Sequence, residues 1–454
     1  MASRVLQLTL GLAILAVPII SLAQTSITYG SIAFPAEPIY ADNSSPTRLA
    51  VTDADGTVMD AYVYNMGVDI CDKISHAWSY AISTVGNSSV TIDARGFPQS
   101  SASTCANSPI PGITGIHGRL LLGSYTIASQ HPWIIPSGVE IVGMGGSSPT
   151  SSNGNTTIAA ASGTGCGGFC ADTTGALIEI GQTGLNNIDS KLRSVTVDCA
   201  SIQFCTTGIY NLSANDNARL EDVVINNAPG YGLVILLGTT LGGQNSGSYR
   251  DITVQYPSCS SCGTSTIGVE VDGGDNGELV RGLQNVKVSS LNSTGTCTFH
   301  GNLGIKISAA TLQIANSAAE CFGVGVQIDP PANNTGHNVQ VDNFLYRCDT
   351  NYFNCGGDPN QVTTGIGVNI ADSTAANVTL SNVTEEAIGN GTLGKAIVYP
   401  NQGGTKVALG GQFQGFFSYG DPNVGGCSPA PNCLSLISTD PSVKWLVPSG
   451  LINQ

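Results

Sequence analysis

The feature that most constrains the fold is an alternation of two kinds of short strand that begins near residue 190. The first kind of strand alternates apolar and polar residues, and its apolar positions recur at Val195, Val223, Ile252, Val286, Leu312, Val339 and Val378. The second kind opens with glycine or a small residue, as in GIYNLS, GLVILL, GVEVDG, GIKISA, GVQIDP and GVNIAD. The two kinds alternate as far as Pro400, so the chain returns to the same local pattern again and again.

Repeats of this length, built from short strands, predict a parallel β-solenoid in which stacked turns bury a column of Val, Ile and Leu. A leucine-rich repeat would need a near-constant spacing of leucines, which this chain lacks, and a β-sandwich would not restart its strands at glycine so regularly. The composition agrees, because 57 residues are Gly and only 10% are charged. We therefore expect an all-β fold of short strands and turns.

One amphipathic helix is predicted ahead of the strands, in the stretch from Asp69 to Gly86. Ile70, Ile74, Trp78 and Ile82 recur every four residues and form one apolar helical face. Asp69 or Asp72 is suited to cap its first turn, and Gly86 to end it.

The N-terminus resembles an export signal, with a short basic region, an apolar stretch from Leu6 to Leu22 and small residues at Ser21 and Ala23. We predict a signal peptide over residues 1–23 and a secreted or periplasmic protein that has no membrane segment after cleavage. The further predicted divisions are an extended segment (24–68), the helix with the first turns (69–185), the main solenoid (186–410) and a C-terminal cap (411–454).

The chain contains 14 cysteines, and an exported location favours disulfides over metal binding. Spacing suggests seven pairs: Cys71/Cys105, Cys166/Cys170, Cys199/Cys205, Cys259/Cys262, Cys297/Cys321, Cys348/Cys355 and Cys427/Cys433. Nine Asn-x-Ser/Thr sequences, Asn211 among them, are glycosylation acceptors in a eukaryotic host.

The formal net charge of −15 makes nucleic acid an unexpected partner, because no basic stripe is visible along the sequence. The same charge repels an anionic polysaccharide unless a local basic patch or a bound cation intervenes. A monomer is expected.

The order of elements around residues 70–160 resembles the pectate-lyase superfamily of right-handed parallel β-helix proteins. A helix precedes SVTIDARGF, and then come GRLLLGSYTI and PSGVEIVGMG. The matching positions are Gly118, Gly123, Tyr125, Ile127, Pro136, Ser137, Gly138, Val139, Gly143 and Gly145. The resemblance implies a right-handed parallel β-helix capped by the helix, and a protein that acts on polysaccharide.

The resemblance supplies no catalytic residues. The chain has none of the Asn-Thr-Asp, Asp-Asp, Gly-His-Gly and Arg-Ile-Lys motifs of polygalacturonase-type hydrolases. It also lacks the Trp-x-Asp-His signature of calcium-dependent pectate lyases.

Alternation within the glycine-led strands nevertheless predicts which side chains face outward. One expected outward row consists of Tyr210, Val234, Glu270, Lys306, Gln327 and Asn369. A second row, two residues further along each strand, consists of Leu212, Leu236, Asp272, Ser308, Asp329 and Ala371. Since neighbouring strands lie about 4.8 Å apart, the two rows bring together Glu270, Asp272, Lys306 and Asp329, which we call the candidate patch.

The candidate patch permits two chemistries. Its carboxylates are suited to general acid and base work in glycoside hydrolysis. Alternatively, Asp272, Asp275 and Glu278 bind Ca²⁺, and Lys306 or Arg281 acts in a lyase reaction. A third interpretation gives the candidate patch no catalytic role and makes it a solvent-exposed sheet face with a weak Glu270–Lys306 ion pair.

Other residues are weaker candidates. His300 precedes a glycine-led strand and is placed to reach the same face, and Trp133, Tyr249 and Tyr346 are candidates to stack on sugars. The sequence therefore favours a secreted polysaccharide-active enzyme. The alternative is a non-catalytic exported adhesin or carbohydrate-binding surface protein.

Overall fold

The computed structural model describes residues in the following ranges: 27–29, 32–34, 49–52, 58–61, 69–85, 90–95, 103–111, 117–145, 155–161, 174–181, 188–200, 204–214, 218–237, 244–245, 247–273, 278–308, 311–329, 337–349, 351–355, 364–370, 376–388, 398–400, 406–410, 414–415 and 444–446. The predicted signal peptide lies outside these ranges, as does most of the predicted C-terminal cap. None of the described helices is long and apolar enough to cross a membrane.

The first elements in chain order are β1 (Ile27–Tyr29), β2 (Ile32–Phe34), β3 (Leu49–Thr52), β4 (Val58–Ala61), α1 (Ile70–Val85), β5 (Val90–Ala94), β6 (Ser103–Cys105), β7 (Gly118–Leu122), β8 (Thr126–Ser129), β9 (Trp133–Ile135), β10 (Val139–Val142) and β11 (Thr157–Ala160). The β1–β2 hairpin belongs to a separate unit, residues 1–39, and the elements from β3 onward belong to the unit 40–454.

The elements that follow are β12 (Ala176–Ile180), β13 (Lys191–Asp198), β14 (Thr207–Ala214), β15 (Arg219–Asn226), β16 (Tyr231–Leu237), β17 (Gln244–Asn245), β18 (Ser248–Gln255), β19 (Ile267–Asp272), β20 (Glu278–Ser289), β21 (Gly301–Ser308), β22 (Thr311–Glu320), β23 (Phe322–Ile328), β24 (His337–Asp349), β25 (Asn354–Cys355), β26 (Thr364–Ile370), β27 (Ala376–Ile388), β28 (Val398–Pro400), β29 (Lys406–Gly410), β30 (Gln414–Gly415) and β31 (Lys444–Leu446).

These strands form two parallel sheets between which the chain alternates. The larger sheet pairs β13, β15, β18, β20, β22, β24 and β27 in succession, and the smaller sheet pairs β12, β14, β16, β19, β21, β23 and β26. Within these two series, consecutive strands belong to different sheets, and each strand pairs with the equivalent strand of the next turn. This topology is consistent with the predicted parallel β-helix and confirms a mostly β chain of stacked parallel strands.

The core lies between the sheets and is built from aliphatic columns. In the smaller sheet the inward positions Ile209, Leu233, Val269, Ile305, Val326 and Val368 are all fully buried and in register. Because each column continues from turn to turn, every turn covers the apolar face of its neighbour.

The glycines that open these strands are required by close packing against the larger sheet. A Cβ added at Gly232 would collide with Val254, and one added at Gly268 would collide with Val288. At Gly304 the added atom would lie 2.5 Å from the Cβ of Ala319. A side chain at this column would therefore push the two sheets apart.

Strands of the larger sheet bend at a column of residues in the left-handed backbone region. Ser194, Asp222, Asp251, Asn285, Asn316, Asn343 and Asn382 share this column and have φ between 52° and 56°. Asn and Asp tolerate this conformation better than other non-glycine residues. The side-chain amide of Asn343 donates to Oδ1 of Asn316 at 2.7 Å, so asparagine side chains stack between these successive turns.

The bend changes the phase of the apolar pattern. Leu220 and Val223 are both buried although they are three residues apart, because the left-handed residue between them inverts the alternation. The last three positions of the predicted repeat were consequently assigned to the wrong column. Leu312, Val339 and Val378 pair in the column of Leu279, before the bend, and do not continue the column of Val286 after it.

The predicted helix forms and packs on the first strands. Oδ1 of Asp69 accepts a hydrogen bond from the amide of Asp72 at 2.9 Å, which caps the first turn. Ile70, Ile74 and Trp78 are buried, and Ile82 is partly buried against the same core. The Cys71–Cys105 disulfide ties α1 to β6.

Four predicted disulfides are confirmed, namely Cys71–Cys105, Cys199–Cys205, Cys259–Cys262 and Cys297–Cys321. Cys348 is also disulfide-bonded. The pairs predicted at Cys166/Cys170 and Cys427/Cys433 lie outside the described residues. Asn211 is fully buried and donates to the Tyr249 hydroxyl at 2.7 Å, so it is not accessible for glycosylation in the folded protein.

The glycine column yields a stability prediction. Gly268→Ala should lower the free energy of unfolding by about 1–3 kcal/mol, because the new methyl overlaps Val288 and the carbonyl of Gly304. Gly263→Ala is the matched control, since a Cβ there has no atom within 4 Å. Chemical denaturation followed by circular dichroism measures both, and equal effects of the two substitutions would refute the packing explanation.

Candidate functional site

The predicted outward row of the smaller sheet is confirmed by the strand register. Tyr210, Val234, Glu270, Lys306, Gln327 and Asn369 pair in that order across β14, β16, β19, β21, β23 and β26. No described residue of these strands has the left-handed conformation, so alternation places the row opposite the buried columns, although Val234 itself is only 5% exposed. The row also extends one strand earlier than predicted, to Glu179 on β12.

Glu270 and Lys306 form the centre of the candidate patch. Nζ of Lys306 donates to Oε1 of Glu270 at 2.6 Å, and the two side chains are only 25% and 13% exposed. Burial lowers the pKa of Lys306, but the hydrogen bond to Glu270 and the charges of Glu270 and Asp329 outweigh it, so that the pKa is raised overall. Lys306 is therefore a cation at neutral pH.

Asp272 and Asp329 lie on either side of Ser308. Asp272 on β19 pairs with Ser308 on β21, and the amide of Asp329 donates to the carbonyl of Ile307 at 2.8 Å, which continues the register of β23. The two aspartates are thus two strands apart, a Cα separation of about 9.6 Å at ordinary strand spacing. Nε2 of Gln327 reaches Oδ2 of Asp329 at 3.5 Å.

Two tyrosines adjoin the acidic residues. Burial raises the pKa of Tyr210, and the charges of Asp272, Glu270 and Glu179 raise it further. Tyr231, on β16, interacts electrostatically with Lys306 and with Tyr210. The carboxylate of Glu179 is nearly buried and accepts a hydrogen bond from the Thr174 hydroxyl at 2.6 Å. Sequence reasoning missed Glu179 because its strand, ALIEI, does not open with glycine. It missed Tyr231 because this residue precedes the glycine of its strand.

The predicted Ca²⁺ ligands are not all described. Asp275 lies outside the described residues, and Glu278 is the first residue of β20 in the larger sheet. Among the residues that the structure describes, two groups bring three potential ligand atoms within 4.8 Å of one another: Asp69/Cys71/Cys105 and Cys297/His300/Asp349. The cysteines of both groups are disulfide-bonded, so neither group offers a thiolate ligand. The Ca²⁺ site at Asp272 stays a prediction.

His300 is engaged by a neighbouring turn. Its Nε2 lies 2.8 Å from Oδ2 of Asp349, and its ring stacks on Tyr352 at a centroid distance of 3.7 Å. Phe353 packs edge-on against the same imidazole. These contacts give His300 a structural role that joins the start of β21 to the end of β24.

The aromatic residues that were predicted to stack on sugars are buried. Trp133 and Tyr346 are fully buried, and Tyr249 is 1% exposed. The bend in the larger sheet explains Tyr249, because the inverted alternation turns the residue three positions before Ile252 inward.

No family model matches the chain, and no curated protein sequence matches it either. One solved structure, ORF18 of Geobacillus virus E2, aligns with 83% of this chain and 69% of its own at 11% sequence identity. The TM-score of that alignment is 0.30, so we draw no structural or functional conclusion from it.

The Lys306–Glu270 pair predicts a pH dependence of stability. Because the folded-state pKa of Lys306 is raised above its ordinary value of 10.5, the pair stabilises the fold fully below that pH and is lost as pH rises through the folded pKa. Wild type should therefore exceed Lys306→Gln in stability by a constant amount up to about pH 9 and by less above about pH 11. Parallel denaturation curves across this range measure the difference, and a difference that persists or grows at high pH would contradict the pairing.

Proposed function

We propose that the protein is an exported right-handed parallel β-helix enzyme that hydrolyses glycosidic bonds in a polysaccharide. Three features support the fold part of the proposal: the two stacked parallel sheets, the helix packed on the first strands, and the motif resemblance to the pectate-lyase superfamily. The disulfides are compatible with an extracellular or periplasmic location.

The observation that carries the activity is the convergence of the candidate patch on one outward face. Glu270, Asp272 and Lys306 come from β19 and β21, and Asp329 directly follows β23, the next strand of the smaller sheet. These residues lie up to about 60 residues apart in the chain. Side chains on paired strands are positioned more rigidly than those on loops, as acid–base chemistry requires. The neighbouring hydroxyl of Ser308 and amide of Gln327 are suited to hydrogen-bond sugar hydroxyls.

Asp272 and Asp329 are the proposed acid–base pair. Inverting glycoside hydrolases hold their two carboxyl groups about 6.5–9.5 Å apart, which leaves room for a water molecule beside the sugar. The two-strand separation of these aspartates is compatible with that spacing. One of them protonates the leaving glycosidic oxygen while the other removes a proton from the attacking water. Lys306 holds Glu270 in place beside them.

The pKa of Lys306 favours hydrolysis over β-elimination. If lysine is the base of a lyase, it must be deprotonated to remove the proton next to the uronate carboxyl group. Since the raised pKa keeps Lys306 protonated at neutral pH, this residue is poorly suited to that role.

The activity is tested with a panel of neutral and acidic polysaccharides, with and without Ca²⁺. We expect new reducing ends without the ultraviolet absorbance of unsaturated products, and inversion of the anomeric configuration by nuclear magnetic resonance. Asp272→Asn and Asp329→Asn should each lower the rate about 100-fold or more. Glu386→Gln is the control, because Glu386 lies on the larger sheet and pairs with Arg347.

Other results would contradict the proposal in different ways. Unsaturated products would show that the enzyme is a lyase and not a hydrolase. Full activity in both aspartate variants would refute the assignment of the site. Binding without cleavage of any polysaccharide would favour the non-catalytic carbohydrate-binding protein.

A further inference from the structure

We propose that the larger sheet carries a separate binding surface for acidic polysaccharide. The surface consists of Arg119, Lys191, Arg193, Arg219 and Arg250, which we call the basic face. It lies on another sheet than the candidate patch, and its ligand binding does not depend on the proposed hydrolysis.

The strand register brings the basic face together from distant parts of the chain. Arg119 on β7 pairs with Glu140 on β10, which pairs with Lys191 on β13, which pairs with Arg219 on β15. In the adjacent column, two residues further along, Arg193 on β13 pairs with Glu221 on β15, and Glu221 pairs with Arg250 on β18. Five of the 16 Lys and Arg residues of the chain thus lie on four of five successive strands.

Two nearly buried glutamates hold three of the arginines in place. Glu140 accepts Nε of Arg119 at 2.6 Å and Nη1 of Arg193 at 3.2 Å. Glu221 lies 3.3 Å from both Nε of Arg193 and Nη2 of Arg250. The glutamates are about one-tenth exposed, whereas the arginine side chains are 43–52% exposed. Carboxylates thus lie beneath the surface, and guanidinium groups form it.

The arginines retain donors for a ligand. A guanidinium carries five N–H donors, and each contact with a glutamate uses only one of them. Arg219 forms no ion pair within the described part of the chain, and its Nε is buried without a hydrogen-bond partner there. Planar guanidinium groups bind carboxylate and sulfate oxygens in a bidentate manner.

Three aspartates border the basic face and limit its extent. Asp189 pairs with Lys191 at 2.7 Å, and Asp222 and Asp251 lie at the bend next to Glu221 and Arg250. Oδ1 of Asp251 accepts the amide of Asn285 at 2.7 Å. Because these aspartates repel an anion, an anionic ligand is confined to the two columns before the bend. These columns run across the strands, in the direction in which the turns stack.

A linear acidic polysaccharide fits this arrangement. The chain has a net charge of −15, so a polyanion is repelled by most of the surface. It is attracted to the two columns before the bend, where the five cations outnumber the two nearly buried glutamates. Repeated carboxylate or sulfate groups along an extended glycan match cations that are repeated at strand spacing. Such binding would hold the protein on an acidic glycan while the smaller sheet faces away from it.

The test measures binding of the full-length protein to alginate and to dextran sulfate by calorimetry at low ionic strength, with neutral dextran as the uncharged control. In the double variant Arg119→Gln/Arg250→Gln, the two nearly buried glutamates, Glu140 and Glu221, still form ion pairs with Arg193, so we expect the fold to be retained. This variant should bind at least about tenfold more weakly. Arg347→Gln is the matched control, because the buried partner of Arg347, Glu320, retains its ion pair with Lys287 at 3.1 Å. This variant should bind the polysaccharide within about twofold of wild type.

Two further variants keep the proposal falsifiable. If circular dichroism shows that the double variant is unfolded, Arg250→Gln alone should still weaken binding severalfold. Asp222→Asn/Asp251→Asn should strengthen binding, because Asn keeps the left-handed backbone and removes two negative charges.

The outcomes distinguish a carboxylated ligand from a sulfated ligand, and both of these from double-stranded DNA or no ligand. Stronger binding of alginate or of dextran sulfate identifies the anionic group. Absence of binding by wild type, or an equal loss in Arg347→Gln, would overturn the proposal. Tighter binding of double-stranded DNA than of either polysaccharide would also overturn it. None of these results depends on whether the protein cleaves glycosidic bonds.

Discussion

In-register pairing between equivalent strands of successive turns is the constraint on which the whole structure depends. It stacks Ile209, Leu233 and Val269 into a continuous aliphatic column, and it requires glycine where the two sheets approach most closely. The same register aligns the outward side chains, so any residue placed at the outward position of a turn acquires a neighbour about 4.8 Å away on the next turn. Both proposed sites result from that repetition, one on each sheet.

Charge is distributed differently on the two sheets. On the smaller sheet, the carboxylates of Glu270 and Asp329 act on Lys306, and those of Glu179, Glu270 and Asp272 act on Tyr210. On the larger sheet, the acids of the basic face are buried beneath arginines, so the exposed atoms are mainly cationic. A net charge calculated from the sequence averages over both surfaces. The net charge therefore does not predict which ligand either surface would attract.

Much of the smaller sheet was predictable from sequence, because no left-handed residue interrupts its described strands and glycine marks the start of most of them. The row from Tyr210 to Asn369 was assigned correctly for this reason. The larger sheet was less predictable, since one left-handed residue in each strand inverts the alternation and Tyr249 is consequently buried. The basic face could not be seen at all, because Glu140 and Arg193 are 53 residues apart and meet only through strand pairing.

The described disulfides span short distances along the chain, with sequence separations of 34, 6, 24 and 3 residues. They close loops and join a turn to its immediate neighbour, and none of them clamps distant turns together. If an end turn of the solenoid opened, none of these four disulfides would hold it to a distant turn, and the remaining turns would stay paired through their own strands. The last intact turn then presents an open strand edge with the correct register, on which the released segment can be wound back.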